Sequence, residues 1–481
     1  MRAPVIRGGL ILLGLFAGLI PVFSTAADGD PLPAEVMAEL RRYGISPRHL
    51  SVYVQVVDQD KPLLAFQADV PRNPASSIKV LTTLAALEIL GPGYTWKTEV
   101  WSRAPIRDGR LDGDLYLKGY GDPFLVIEHF WRFLRELRND GLADIRGHLV
   151  LDQSHFAQEP GDPAEFDGKP HRAYNVMPRA LMVNFQAVRF HLQPQPELNR
   201  VRVVADPHLA GLEVVNRIQL RPGRCRDGAR RVALQAVPGQ AMDKMVFSGR
   251  MDGACGEAEF FRVVAEPVRH THGAFTAVWR ELGGRFDGDV REDKVPSDAR
   301  LLHRMSSPTL GDIVRSINKH SNNLMTRMLL LTLGTDGDTP GTTARGIARV
   351  RQWLAQRGLD FPELVLDNGS GLSREERISA RHLGEVMLAG YRSPFMPEFM
   401  SSLPISGEDG SMQRRHGGSE LAGQAHLKTG TINGVRAMTG YLLDKRGRRV
   451  VVVSLHNDPR VNSFAGEKVQ DAILRWAYAR P

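Results

Sequence analysis

The spacing of apolar residues changes several times near the start of the chain, and each change marks a predicted element. Residues 32–44 show the spacing of an amphipathic helix, and residues 50–57 form a β-branched run typical of a strand. A polar turn at 58–60 leads to a second strand at 62–68, and a helical apolar pattern covers 76–90. This order predicts an α/β unit that begins with an antiparallel hairpin.

The middle of the chain, from about 97 to 270, has a different pattern, because short β-like runs alternate with Gly, Pro and Asp. These runs lie at 115–118, 147–151, 188–192, 201–204, 232–236 and 260–264. They predict one or two β-rich modules.

Helical spacing returns in the last part of the chain. The helical stretches are 273–283, 310–333, 342–356, 378–391 and 464–478. Between the last two, β-branched runs at 436–443 and 449–454 are joined by Asp444-Lys445-Arg446-Gly447, which predicts a hairpin. An α/β start, a β-rich middle and an α/β end indicate one domain interrupted by an insertion.

The first residues carry a targeting pattern. Arg2 and Arg7 precede an uncharged run at 8–23, which ends in Ser24-Thr25-Ala26-Ala27. A basic start, a short apolar core and small exit residues predict a secretory signal peptide at 1–26. A retained membrane anchor is the alternative, but the run is shorter than the roughly 20 residues needed to span a bilayer. We therefore expect an exported protein.

Composition and charge narrow the class of protein. The 481 residues are 42% hydrophobic and 24% charged, which is typical of a globular protein and excludes disordered and polytopic membrane proteins. The net charge of +8 favours an anionic environment. Two cysteines, Cys225 and Cys255, are too few for a disulfide scaffold or a Cys-rich metal site. They could pair in an oxidising compartment, and two free thiols are the alternative.

Three short motifs occur in order: Ser76-Ser77-Ile78-Lys79, Ser321-Asn322-Asn323 and Lys428-Thr429-Gly430. A chain with 24 serines and 11 lysines contains Ser-x-x-Lys by chance roughly 0.5 times. A second copy, Ser316 to Lys319, lies inside a helical pattern, where we expect a solvated face. Lys-Thr-Gly is more specific, because its chance count is about 0.05.

The position of Ser76 is suited to a catalytic nucleophile. Ser76 opens the helix predicted at 76–90, and Lys79 lies one turn later on the same face. The N–H groups at a helix N-terminus favour a developing negative charge. A lysine acts as a base near neutral pH when burial and a second cation destabilise its ammonium form, and Lys428 is the candidate second cation. These residues predict a serine nucleophile activated by a lysine.

Together the motifs resemble those of the class C low-molecular-mass penicillin-binding proteins, the serine D-Ala-D-Ala carboxypeptidase/endopeptidase family. The resemblance extends over essentially the whole mature chain and includes Pro74-Ala75-Ser76 and the stretches 318–324, 367–374, 403–407 and 428–431. Many relatives have Asp where this chain has Asn322, but the outer Ser321 and Asn323 are kept.

The family resemblance implies a fold. The class is α/β (α+β), a serine DD-peptidase or β-lactamase-like domain with an antiparallel sheet flanked by helices. This catalytic domain would comprise residues 27–96 and 300–481, and a large β-rich insertion would occupy 97–299.

The resemblance also implies catalytic roles. Ser76 would attack the carbonyl carbon between two D-alanines, and Lys79 would accept the serine proton. Ser321 would relay a proton to the leaving amine, while Asn323 would hold the lysine and the substrate amide.

Further residues would bind the substrate. Lys428 and Thr429 would bind the terminal carboxylate, and the backbone N–H groups of Ser76 and Thr431 would form the oxyanion hole. Asp152 and Phe156 match a family stretch that reaches over the cleft towards the stem-peptide side chain.

The expected protein is therefore a periplasmic hydrolase that cleaves peptidoglycan stem peptides or cross-links and binds β-lactams covalently. We expect no cofactor and no nucleic acid as a partner. We also expect no metal, since His270-Thr271-His272 lacks a third ligand at suitable spacing. The sequence leaves a homodimer and the balance of carboxypeptidase and endopeptidase activity open.

Two other functions, a β-lactamase and a non-catalytic wall-binding protein, fit the sequence less well. A β-lactamase is disfavoured because such chains are much shorter, and because no deacylating Glu motif is evident. A non-catalytic wall-binding protein is disfavoured because all catalytic positions are intact.

Overall fold

The computed structural model describes residues 30–240, 242–462 and 464–480, so the predicted signal peptide at 1–26 lies outside the described residues. The helices are α1 Ala34–Arg42, α2 Lys79–Leu90, α3 Ile127–Asn139, α4 Pro267–Glu281, α5 Leu310–His320, α6 Asn323–Leu333, α7 Thr343–Gln356, α8 Ala380–Arg392, α9 Met396–Ser402 and α10 Phe464–Ala479. None of these helices has both the length and the apolar character needed to cross a membrane.

The strands follow the chain from the first predicted hairpin to the last. They are β1 Leu50–Val56, β2 Leu64–Phe66, β3 Lys97–Ser102, β4 Ile106–Arg107, β5 Arg110–Leu111, β6 Leu115–Gly119, β7 Asp144–Ile145, β8 Leu149–Asp152, β9 Val188–Gln195, β10 Arg200–Asp206, β11 Val214–Arg221, β12 Val232–Val237, β13 Lys244–Asp252, β14 Ala258–Arg262, β15 Arg285–Phe286, β16 Val290–Glu292, β17 Arg300–Ser306, β18 Ala425–Ile432, β19 Val435–Leu443 and β20 Arg449–Asn457.

One antiparallel sheet joins the two ends of the chain. Its order is β18-β19-β20-β1-β2, and Val54 of β1 pairs with Val452 of β20. Val451 and Val453 face a core shared with α2, α5 and α8, whereas Val450 and Val452 face a second core with α1 and α10. Burial on both faces accounts for the uninterrupted apolar run in β20. The predicted C-terminal hairpin and the predicted class, an antiparallel sheet flanked by helices, are confirmed.

Helix α2 lies inside the first of these cores. Its residues 79–87 are all buried, and α5, α6, α7, α8 and α9 surround it. A helix that is buried on every side is expected to carry apolar residues all around it, and most residues of α2 are apolar. This packing gives Lys79, in its first turn, a dry environment.

The segment between β3 and β17 builds sheets of its own. Their orders are β16-β8-β6-β3-β17, β15-β7-β5-β4, β10-β9-β14 and β11-β13-β12. Strands β3 and β17 pair antiparallel, so the chain enters and leaves this segment on neighbouring strands, and the sheet includes residues beyond 299. Cys225 and Cys255 form a disulfide bond within the segment, which decides between the two alternatives left open above.

Helix α3 lies between the β-like runs at 115–118 and 147–151, in a part of the chain for which the sequence predicts only β-rich modules. Its buried residues Phe130, Phe133, Leu134 and Leu137 nevertheless follow helical spacing. The inserted segment is therefore a mixture of sheets and the helices α3 and α4.

The helical pattern at 310–333 predicts one helix, and the structure divides it into α5 and α6. Ser321 stands between them with a φ of 56°, in the left-handed region that an α-helix cannot continue through. The Asn322 side chain then caps α6 by accepting a hydrogen bond from the Met325 N–H. Each helix keeps its own apolar stripe, so the spacing alone did not reveal the break.

The expected solvated face at Ser316 and Lys319 is wrong for Lys319, whose side chain is only 5% exposed. Its Nζ lies 2.7 Å from the Asp409 carboxylate and donates to the carbonyl oxygen of Leu403 at 2.6 Å. Asp409 also accepts a hydrogen bond from the Ile405 N–H. Lys319 therefore ties the end of α5 to the loop after α9, next to Ser321.

We predict that Lys319→Met lowers the free energy of unfolding by about 2 kcal/mol, because it leaves a half-buried carboxylate and a carbonyl without their cation. Urea unfolding measures this loss. The matched control is Lys445→Met, which removes an exposed ion pair with Glu420 and is expected to have a much smaller effect on unfolding. Equal losses for the two variants would contradict a structural role for the Lys319 ion pair.

Candidate active site

The turn before α2 places Ser76. A 3-10 turn, Ala75–Ile78, continues directly into α2, and Ala75 adopts a φ of 43°. Asn73 holds this strained residue, because its side-chain oxygen accepts from the Ala75 N–H at 2.8 Å and its amide donates to the carbonyl oxygen of Ser373 at 2.8 Å. Ser76 is thereby half-exposed at the start of a helix, as the sequence predicts.

Lys79 is fully buried, and its amine meets three oxygen atoms from different parts of the chain. Nζ lies 3.1 Å from Ser76 Oγ and 2.6 Å from Asn323 Oδ1, and it also donates to the carbonyl oxygen of Ser370. Burial lowers the pKa of Lys79 well below its usual value, and the charge of Lys428 lowers it further. The structure thus brings Ser76, Lys79 and Asn323 together, and burial destabilises the ammonium form of Lys79.

The break between α5 and α6 directs Ser321 towards β18. Lys428 Nζ donates to Ser321 Oγ at 2.8 Å and to the carbonyl oxygen of Thr429 at 2.7 Å. Lys428 is fully buried, and burial lowers its pKa to about 7. Ser321 and Lys428 therefore form a second hydrogen-bonded pair beside the first.

Strand β18 passes directly beside the nucleophile. A Cβ added to Gly430 would lie 2.9 Å from the Ser76 nitrogen, so glycine permits the close approach. Thr429 Oγ1 lies 2.9 Å from Ser411 Oγ, and Thr431 Oγ1 accepts from Arg436 at 3.1 Å. Thr429 and Thr431 thus lie on the strand that borders Ser76.

The loop at 367–373 closes the other side of the site. Gly371 has a φ of +80°, and a Cβ there would lie 2.0 Å from the Ala75 carbonyl oxygen. Gly369 accepts a hydrogen bond from Thr82 of α2, and Ser370 accepts from Lys79. The loop therefore packs against both the nucleophile turn and the lysine.

No sequence motif predicts Phe166, whereas Arg374 lies in the stretch 367–374 that resembles the family. Phe166 packs with Ala75, Ile432 and Val435, and the Arg374 guanidinium lies 4.7 Å from the centre of its ring. Both residues line a cavity of about 640 Å³ that also includes residues 367–368 and 372–375. No spacing or motif marks Phe166, which lies in an irregular stretch of the insertion.

The structure does not bring Asp152 and Phe156 to this cluster. The Asp152 carboxylate is 1% exposed, accepts from the Ser154 and Val295 N–H groups and faces Lys118 at 3.4 Å. Phe156 is 5% exposed in an apolar cluster that includes Leu324, and its ring covers Gly121. Both residues line a cavity of about 270 Å³ whose lining includes none of Ser76, Lys79, Ser321 and Lys428, and their contact with a stem peptide stays a prediction.

The described ranges contain no group of three or more His, Cys, Asp or Glu side chains that could hold an ion. His270 is buried within α4, where burial lowers its pKa to about 4.

Comparison with known proteins gives one family. The sequence matches the family described as D-Ala-D-Ala carboxypeptidase 3 (S13) over residues 34–480. A relative from Actinomadura sp., named D-alanyl-D-alanine carboxypeptidase, is 30% identical over 414 residues, covering 83% of this chain and 76% of the relative. The D-alanyl-D-alanine carboxypeptidase DacB of Haemophilus influenzae is 23% identical over 411 residues, covering 83% of this chain and 84% of that protein.

A solved structure shows the same fold. The crystal structure of penicillin binding protein 4 (dacB) from Haemophilus influenzae is similar with a TM-score of 0.74 and 21% identity, covering 92% of this chain and 99% of that chain. A second structure of that protein, complexed with a novel β-lactam, has a TM-score of 0.71 and 21% identity and covers 93% and 100% of the two chains.

We predict that Gly371→Ala destabilises the protein more than Gly358→Ala does. Both glycines have a positive φ, but a Cβ at Gly358 meets nothing within 4 Å, whereas one at Gly371 meets the Ala75 carbonyl. The clash should add about 1 to 3 kcal/mol to the cost of the backbone conformation in urea unfolding. A difference below about 0.5 kcal/mol would mean that the loop moves freely away from the nucleophile turn.

Proposed function

Because the chain belongs to the D-Ala-D-Ala carboxypeptidase 3 (S13) family, we propose that it is a serine-type peptidase acting on peptidoglycan stem peptides through an acyl-enzyme on Ser76. The observation that carries the proposal is that the Lys79 amine contacts Ser76 Oγ, Asn323 Oδ1 and the Ser370 carbonyl oxygen. The N-terminal sequence pattern supports a periplasmic location.

The hydrogen-bond partners of the Lys79 amine are those expected for a general base. A neutral amine has two N–H donors and one lone pair, and the Asn323 side-chain oxygen and the Ser370 carbonyl are acceptors only. If these two oxygens take both donors, the lone pair is left for the Ser76 hydroxyl at 3.1 Å. Lys79 can then accept the proton of Ser76 as Oγ attacks.

The remaining groups support the rest of an acyl transfer. Ser76 Oγ bonds to the carbonyl carbon, the bond to the terminal D-Ala nitrogen breaks, and Ser321 Oγ passes the proton to that nitrogen. Lys428 and Thr429 bind the terminal carboxylate, and the N–H groups of Ser76 and Thr431 stabilise the oxyanion. Water then hydrolyses the ester and releases the shortened stem peptide.

A β-lactam presents a strained amide and a carboxylate to the same groups, so we propose covalent inhibition at Ser76. The β-lactam complex of the Haemophilus influenzae protein supports this proposal.

The first experiment is labelling with a fluorescent penicillin. We expect a covalent band for the wild type, none for Ser76→Ala, and an unchanged band for Ser316→Ala, which removes the serine of the other Ser-x-x-Lys copy. Circular dichroism should show that all three proteins are folded. An unlabelled wild type, or a labelled Ser76→Ala, would contradict the proposal.

The second experiment tests carboxylate recognition with a pentapeptide ending in D-Ala-D-Ala. Lys428→Met should lower kcat/KM about 100-fold, the size expected for a lost buried charge pair. The control substrate ends in a carboxamide, on which the same substitution should have a much smaller effect. Equal losses on both substrates would show that Lys428 does not bind the carboxylate.

Release of D-Ala from that pentapeptide measures carboxypeptidase activity, and cleavage of a cross-linked dimer measures endopeptidase activity. Ser76→Ala should abolish whichever of the two the wild type shows. Turnover of the β-lactam without peptide cleavage would instead indicate a β-lactamase.

A further inference from the structure

Glu376 is a fully buried carboxylate that the proposed reaction does not use. Its Oε1 accepts from the backbone N–H groups of Gly369 at 2.7 Å, Asn368 at 3.2 Å and Asp367 at 3.4 Å. Its Oε2 is buried and has no hydrogen-bond partner among the described residues. A carboxylate in this position costs free energy unless a charge nearby compensates it.

The titratable group that the charge of Glu376 acts on is Lys79. The loop segment clamped by Glu376 continues to Ser370, whose carbonyl oxygen accepts from Lys79 Nζ. Glu376 also acts on Lys79 electrostatically, and its negative charge opposes the lowering of the lysine pKa. Glu376 is therefore connected to Lys79 both through the loop and through its charge.

We propose that Glu376 is a positioning residue that holds the 367–370 loop against Lys79 and, through its own charge, shifts the pH at which Ser76 is acylated. This inference rests on the proposed function, because it takes Lys79 as the base for Ser76.

The electrostatics of the site support this coupling. Burial and the charge of Asp367 raise the pKa of Glu376 and the backbone N–H groups lower it, with a net value of about 7. Lys428 repels the Lys79 ammonium from β18. Arg377, on the segment of Glu376 itself, donates to the Glu376 carbonyl oxygen. Glu376 and Lys79 therefore lie among one further anion, Asp367, and two further cations, Lys428 and Arg377.

The sign of the effect follows from these charges. An ionised Glu376 stabilises the ammonium form of Lys79 and so raises the pKa of the lysine. Acylation requires the neutral amine, so an ionised Glu376 moves the acid limb of the acylation rate to higher pH. Neutralising residue 376 should move that limb to lower pH.

The test is the pH profile of acylation by fluorescent penicillin, measured as the second-order rate constant from pH 4 to pH 9. For Glu376→Gln we expect the midpoint of the acid limb to fall by about one pH unit, the size typical of one nearby charge. Gln keeps an oxygen acceptor for the loop amides, so a purely structural role predicts a slower rate with an unchanged midpoint.

Two variants serve as controls. Glu88→Gln removes a different buried carboxylate, which lies on α2 and pairs with Arg357. This variant should leave the midpoint of the acid limb unchanged. Thr82→Val removes the hydrogen bond from α2 to Gly369 without changing charge, and should lower the rate without moving the midpoint.

The wild-type profile alone gives a second readout if Glu376→Gln does not fold. Ionisation of Glu376 raises the pKa of Lys79 as the pH rises, so the logarithm of the rate should pass through a segment with a slope below one on the acid limb. An acid limb that fits a single ionisation, with a slope of one up to its plateau, or an unchanged midpoint in a folded Glu376→Gln, would overturn the inference. A wild type that is not acylated at any pH would instead refute the proposed function.

Discussion

The structure of the site depends on the burial of one amine, the Nζ of Lys79. Its three oxygen partners come from the nucleophile turn, from α6 and from the loop at 367–373, which are far apart in the sequence. An ammonium ion would be costly in this dry position, so the same packing that encloses the amine also disfavours its charge. Folding and the chemistry of the amine are therefore coupled.

The central sheet makes that burial achievable. Strands from both ends of the chain pair in it, and helices cover both of its faces. Helix α2 thereby lies deep in one core, while β18 brings Lys428 and Gly430 to the start of that helix. The two lysines lie close enough for the charge of one to affect the other, and neither is exposed.

The inserted segment contributes to the site as well as to the size of the chain. It leaves and rejoins the rest of the protein on the paired strands β3 and β17, so the insertion does not separate β1 from β20. From this segment, Phe166 packs against the residue before the nucleophile and against the end of β18. One wall of the site therefore comes from a region that the motifs do not include.

The three motifs, the helix that follows Ser76 and the alternation of elements can be read from the sequence, because local spacing encodes which side chains share a face. Tertiary contacts were needed to show that Ser321 breaks a helical pattern, that Lys319 is buried against Asp409, and that Phe156 packs on Leu324 of α6. The tertiary structure alone also revealed Phe166 and Glu376. Each of these depends on contacts between distant segments, and burial, hydrogen-bond partners and charge coupling are properties of those contacts that no local pattern contains.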